Sequence, residues 1–147
     1  MGALVRHTPA VLLGAFLIFI GSQKFGAENV IFATIAEKSG FAFFEPYVRL
    51  AVGVGELVAG ALLIAPFARH LGVVMAAGLI GGAILFHLSP WLGIVVAAAP
   101  GEEPTPALFV VALVFAGVTA LVAFMERERL AALARPFAVL TPQRTHA

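Results

Sequence analysis

Four apolar runs, each long enough to cross the hydrocarbon of a bilayer, constrain this chain more than any other feature. They cover about Pro9–Phe25, Pro46–Pro66, Leu71–Leu88 and Ala107–Met125. A spanning helix needs about 20 mainly apolar residues, within a range of about 17–25, and each run fits. A soluble bundle would instead carry a polar stripe along each helix at 3.6-residue spacing. The third and fourth runs have no such stripe, and Val110–Phe124 carries no charge on any face. Composition agrees: 61% of the 147 residues are hydrophobic and 12% are charged, more apolar surface than a water-soluble fold of this size conceals. The expected fold is all-α, an integral membrane four-helix bundle. It forms one transmembrane domain over residues 1–130, followed by a cytoplasmic C-terminal tail over 131–147.

Several function classes drop out. The net charge is +1 and no basic face is clustered, which argues against nucleic acid as a partner. With no cysteine in the chain, thiolate metal sites and disulfides are excluded. The first run is expected to be a retained helix. Arg6 and His7 followed by Ala10–Ile20 resemble a signal peptide, but Gly21-Ser22-Gln23-Lys24 lacks a small-x-small cleavage site.

Lys and Arg placement predicts topology. Arg6, Arg69, Arg127, Arg129, Arg135 and Arg144 fall at the N-terminus, in the turn between the second and third runs, and at the C-terminus. Four spans put these regions on one face, which the positive-inside rule makes cytoplasmic. Both termini are then cytoplasmic, as expected in a bacterial inner membrane, and Tyr47 and Trp91 fall near the outer interface. The connecting segment Gly26–Glu45 is too long for a tight turn. Ala27–Lys38 reads either as a short helix on the outer surface or as a loop capping the bundle mouth; the loop is preferred because no strongly basic face is present. Small residues at Ala51, Gly55 and Ala59, and the pair Gly78 and Gly82, are expected to pack helices within the chain.

The ionisable residues within or at the ends of spans are Lys24, Glu28, Arg49, Glu56 and His87. A charge at the bilayer centre costs about 2.5–3.5 kcal/mol on insertion scales, so such residues turn inward and mark sites. Arg49 and Glu56, seven residues apart, return to nearly the same helix face about 10 Å apart along the axis. His87 lies about 27 Å along its helix from Arg69, so Lys24, Arg49 and His87 converge on the outer half, with Glu56 below them. Glu56 is either neutral or ionised against Arg49, Lys24 or His87. The constellation is a candidate ligand pocket for an anionic or carbonyl-bearing head group such as a quinone; the alternative is a polar network that only fixes helix register. No HxxxH, HExxH or carboxylate cluster points to a metal. Facing histidines for a haem are missing, and Glu126-Arg127-Glu128-Arg129 reads as a solvated helix end.

Three stretches carry a family resemblance: Gly21-Ser22-Gln23-Lys24-Phe25, then Arg49 to Gly60 with its Glu56-Leu57-Val58-Ala59-Gly60, then Gly82 to Leu88 containing His87. Their order resembles the DoxX family of small bacterial four-helix membrane proteins and looks related to the YkgB-like group, over about residues 10–125. The resemblance implies a membrane subunit or accessory of a redox or quinone-linked system, with Lys24, Glu56 and His87 at the family's polar positions and Arg49 beside them. Unlike some relatives, the chain has no cysteine and ends soon after the fourth run, so an accessory subunit is expected rather than an independent enzyme. Two other readings stay open. One is a non-catalytic assembly protein that binds a protein partner, a homo-oligomer included. The other is a small proton-coupled permease using Glu56.

Overall fold

The computed structural model describes residues 2–138, with side chains from His7 onward except at positions 134 and 136–138. Arg144 lies outside the described residues, as does the side chain of Arg6. Helix α1 spans Gly2–Ser22, α2 Val30–Ser39, α3 Tyr47–Ile64, α4 Arg69–Leu88, α5 Ala107–Met125 and α6 Arg127–Ala138. Short 3-10 turns occupy Gln23–Phe25 and Ala42–Phe44. The described residues contain no strand, only an isolated antiparallel bridge between Val96 and Thr105. Four stretches are long and apolar enough to cross a membrane: His7–Phe25, Ala42–Ile64, Arg69–Leu88 and Ala107–Met125. They point to a multi-pass protein with a lipid bilayer as its surroundings.

Several boundaries differ from those expected. Helix α1 starts at Gly2, which puts Pro9 inside it; at that position proline lacks the N–H that would bond back one turn. The second span is helical from Tyr47 to Ile64 rather than 46–66, and the third begins at Arg69 rather than Leu71. The tail read as starting at 131 begins within α6, where Leu130, Ala131, Ala132 and Leu133 favour helix and Leu130 packs on the core. Helix α2 overturns the preferred reading of Gly26–Glu45 as a capping loop. Asn29 accepts hydrogen bonds from the backbone N–H groups of Ile31 (3.1 Å) and Phe32 (3.4 Å), capping its start. Gly40 ends it at a φ of 77°, a conformation that costs glycine little. The capping role survives: Ile35 of α2 packs with Phe44, Leu92 and Val96 in a buried cluster over one end of the bundle.

The spans form a ring in which α1 packs on α3, α3 on α4, α4 on α5, and α5 closes loosely on α1. Leu13 and Leu17 of α1, Ala59 and Leu63 of α3, Val73, Ala76 and Ile80 of α4 and Val122 of α5 make the main core. The α1–α3 seam is built on glycine. A Cβ on Gly14 would lie 2.7 Å from the Gly60 carbonyl oxygen, and one on Gly21 would lie 2.9 Å from Glu56 Cβ and 3.0 Å from the Gly53 carbonyl oxygen. Two glycines seven apart in α1 thus meet two glycines seven apart in the antiparallel α3, the small-residue contact that lets membrane helices approach closely. The expected stripes are only partly used. Ala59 is in the core, but a Cβ on Gly55 meets its nearest neighbour, Leu79, at 3.4 Å, and one on Gly78 or Gly82 meets nothing within 4 Å. Gly78 and Gly82 therefore do not pack helices within the chain as expected. Helix α5 is the least covered, with 11% of its apolar window buried. Its Phe115 ring stacks on Phe16 of α1 at a centroid distance of 3.5 Å.

Candidate functional site

The α1–α3 seam brings two charges together. Lys24 sits in the turn that continues α1, and Glu56 lies about 14 Å along α3 from Tyr47. The ammonium of Lys24 donates to Glu56 Oε1 at 3.1 Å and lies 2.8 Å from Oε2. The second approach is off the hydrogen-bond direction, since Oε2 receives no hydrogen bond among the described residues. Both side chains are largely buried, at 13% and 8% exposure. Gly21 and Gly53 make the pairing feasible, because a Cβ on Gly21 would press on Glu56 and one on Gly53 would come within 2.9 Å of Lys24 Cβ.

The pair borders a cavity of about 410 Å³, within the size range of small-molecule sites. The cavity lies between the main core and the cap, lined by Leu17 and Ile80 from one and by Ile35 and Leu92 from the other. Its remaining wall is mostly apolar, with Gln23, Asn29 and His87 as polar exceptions. His87 is buried, its Nδ1 lies 2.8 Å from the Gly93 carbonyl oxygen, and its ring edges against Phe109. An N–H on Nδ1 donates to that carbonyl, so a neutral ring keeps Nε2 as an acceptor. Gly93 offers its carbonyl from a turn with φ of 85°, where a side chain would be strained. Lys24, Glu56 and His87, three of the four residues singled out in the sequence, thus share one chamber. Among the described residues no three His, Cys, Asp or Glu side chains gather.

Arg49 does not line the cavity and does not reach Glu56. It is 3% exposed and fully engaged elsewhere. Its Nε donates to both oxygens of Glu45, at 2.7 and 2.9 Å. One terminal nitrogen donates to the carbonyls of Lys24 and Gly26, the other to that of Ala27 at 3.3 Å. Arg49 thus holds the chain as it leaves α1, fixing the backbone that presents Lys24. Glu28 is exposed and joins neither group.

A second charged cluster went unread in the sequence. Glu126 is 7% exposed, which corrects the reading of Glu126–Arg129 as a solvated end at this one residue; Arg127, Glu128 and Arg129 are exposed. Its carboxylate lies 3.6 Å from the guanidinium of the buried Arg69 and 3.6 Å from that of Arg129. Arg69 also donates to the Leu63 carbonyl at 3.0 Å and to His7 Nδ1 at 2.9 Å, and Arg129 donates to the Pro66 carbonyl at 2.6 Å. This cluster ties α6, the α3–α4 turn and α1 together at the end opposite the cap. Glu126→Gln takes the counter-charge from the buried Arg69 and should lower Tm, since a buried charge stripped of its partner destabilises the fold, with cavity binding unchanged. A groove of about 720 Å³ between α1 and α5 runs past Pro9, Leu12, Val114 and Leu121. No ionisable side chain lines it, and it reads as surface for lipid chains. Compared with protein-family models, curated proteins and solved structures, the chain matches none of them.

Proposed function

We propose that this protein is a membrane subunit or accessory of a redox system, and that its cavity receives the head group of a lipid-soluble carbonyl compound, a quinone above all. The observation that carries the reading is the Lys24–Glu56 pair held against an apolar chamber that also contains His87. A buried ion pair adds little to stability over well-packed apolar residues, and intramembrane charges mark sites by default. Lys24 has N–H groups to give a carbonyl oxygen. Glu56 Oε2 and His87 Nε2 accept from a hydroxyl, and the aromatic and aliphatic wall holds a ring. The resemblance to the DoxX family supports the same assignment. The positive-inside rule supports a cytoplasmic α6 end, where Arg69, Arg127 and Arg129 gather, with the cap outside, in a bacterial inner membrane. A second reading, a non-catalytic assembly protein, draws on the uncovered surface of α5.

The double substitution Lys24→Met/Glu56→Leu separates binding from folding. Replacing both members of a buried pair with apolar residues of similar size is close to neutral for stability. The double variant should keep its Tm within a few degrees and bind decylubiquinone at least tenfold more weakly in detergent titrations. Equal affinity in both proteins, or a wild type that shows no saturable binding, contradicts the reading.

A further inference from the structure

We propose that the ligand reaches the cavity sideways, out of the membrane, through the seam between α3 and α4, while the cap keeps the end of the bundle shut. The inference rests on the ligand-binding reading above and adds its route and its solvent: the ligand is a membrane-dissolved molecule that never crosses the cap.

The seam is closed at one end and open at the other. Near the α3–α4 turn a Cβ on Gly72 would lie 2.6 Å from the Leu63 backbone nitrogen, so the two helices touch. Toward the cap the contact loosens: a Cβ on Gly55 first meets Leu79 at 3.4 Å, and one on Gly82 meets nothing within 4 Å. Gly82 and its neighbour Ala83 nonetheless border the cavity, as do Val48 and Val52 of α3. Ala83 is an exposed residue as well as a lining one, so the wall at this point is also surface. The small residues Gly82 and Ala83 put little side-chain bulk on α4 in the way of a flat ring at this point. The centre of the cap is packed. Ile35 is 1% exposed and Leu92 4%, and their cluster would have to come apart for a ligand to pass. A compound dissolved in hydrocarbon meets this part of the seam directly, with no packed cluster to displace.

Gly81 supplies an internal control. A Cβ there also meets nothing within 4 Å, but Gly81 does not line the cavity. Trp91, the one tryptophan of the chain, reports binding, since its ring lies 6.4 Å from that of the cavity-lining Phe86. In phosphatidylcholine nanodiscs, the saturable phase of Trp91 quenching by decylubiquinone should slow at least tenfold in Gly82→Phe and stay within twofold of wild type in Gly81→Phe. Because the chain has no cysteine, Phe44→Cys/Val96→Cys, two cap-cluster positions outside the cavity lining, joined by a short bis-maleimide, lock the cap. The locked protein should bind at the wild-type rate. Wild-type kinetics in Gly82→Phe, equal slowing in Gly81→Phe, or a block imposed by the locked cap overturns the route while leaving the ligand reading intact. A weaker affinity in Gly82→Phe at an unchanged association rate overturns it as well. The absence of saturable quenching in the wild type overturns the ligand reading, and the route with it.

Discussion

Arg49→Met is expected to lower stability by about 3–5 kcal/mol, the scale for removing one partner of a buried charge pair. The truncation strands Glu45, which is 16% exposed, and takes the donor from the carbonyls of Lys24, Gly26 and Ala27 at once. Gly26 and Ala27 are exposed, so water takes up their carbonyls and the penalty falls mainly on Glu45. The loss is measured by unfolding in mixed micelles, with helicity as the readout. Arg49→Lys should recover less than half of it, because an ammonium cannot serve a carboxylate and three carbonyls with the planar fork of a guanidinium. If Arg49→Met unfolds with wild-type stability, Arg49 does not clamp the end of α1.

Gly60→Leu is the second large effect. A Cβ at this position would lie 2.6 Å from the Gly14 carbonyl oxygen, 2.6 Å from Ile18 Cγ1 and 3.2 Å from the Ile18 backbone nitrogen. Two of those three atoms are backbone, so α1 and α3 must separate to admit a side chain. The expected cost is about 3 kcal/mol, the upper part of the usual range for overpacking. Separation also pulls Lys24 from Glu56, so ligand binding should fall together with Tm. Gly117→Ala is the contrast: nothing lies within 4 Å of a Cβ there, and alanine favours helix by about 1 kcal/mol over glycine. A Gly60→Leu protein as stable as Gly117→Ala contradicts the close seam.

The spans were legible because hydrophobicity over about 20 residues is a property of the run itself; Ala107–Met125 has the same limits in sequence and structure. The inward turn of Glu56 and His87 was legible for a related reason, since hydrocarbon rejects charge from outward positions. What stayed hidden depends on register between helices. The seven-residue spacing of Gly14 and Gly21 matches that of Gly60 and Gly53, but only the antiparallel pairing shows that they meet, and the four-residue stripes at Gly55 and Gly78 looked equally suitable. Arg49 lay on the expected helix face, yet its nearest partners come from Glu45 one turn back and from the carbonyls after α1. A position in a helix cannot reveal a loop that folds back over it. Glu126 was misread because its neighbours Arg127, Glu128 and Arg129 look like a solvated run; its burial follows from Arg69, 57 positions away in sequence.

The most direct test of a ligand-holding cavity is native mass spectrometry of the protein released from its own membrane in mild detergent. The account predicts an additional lipid-soluble mass on the wild-type chain, retained in Gly81→Phe and lost from the folded Lys24→Met/Glu56→Leu protein. The same adduct on the double variant, or a bare chain in every sample, contradicts it.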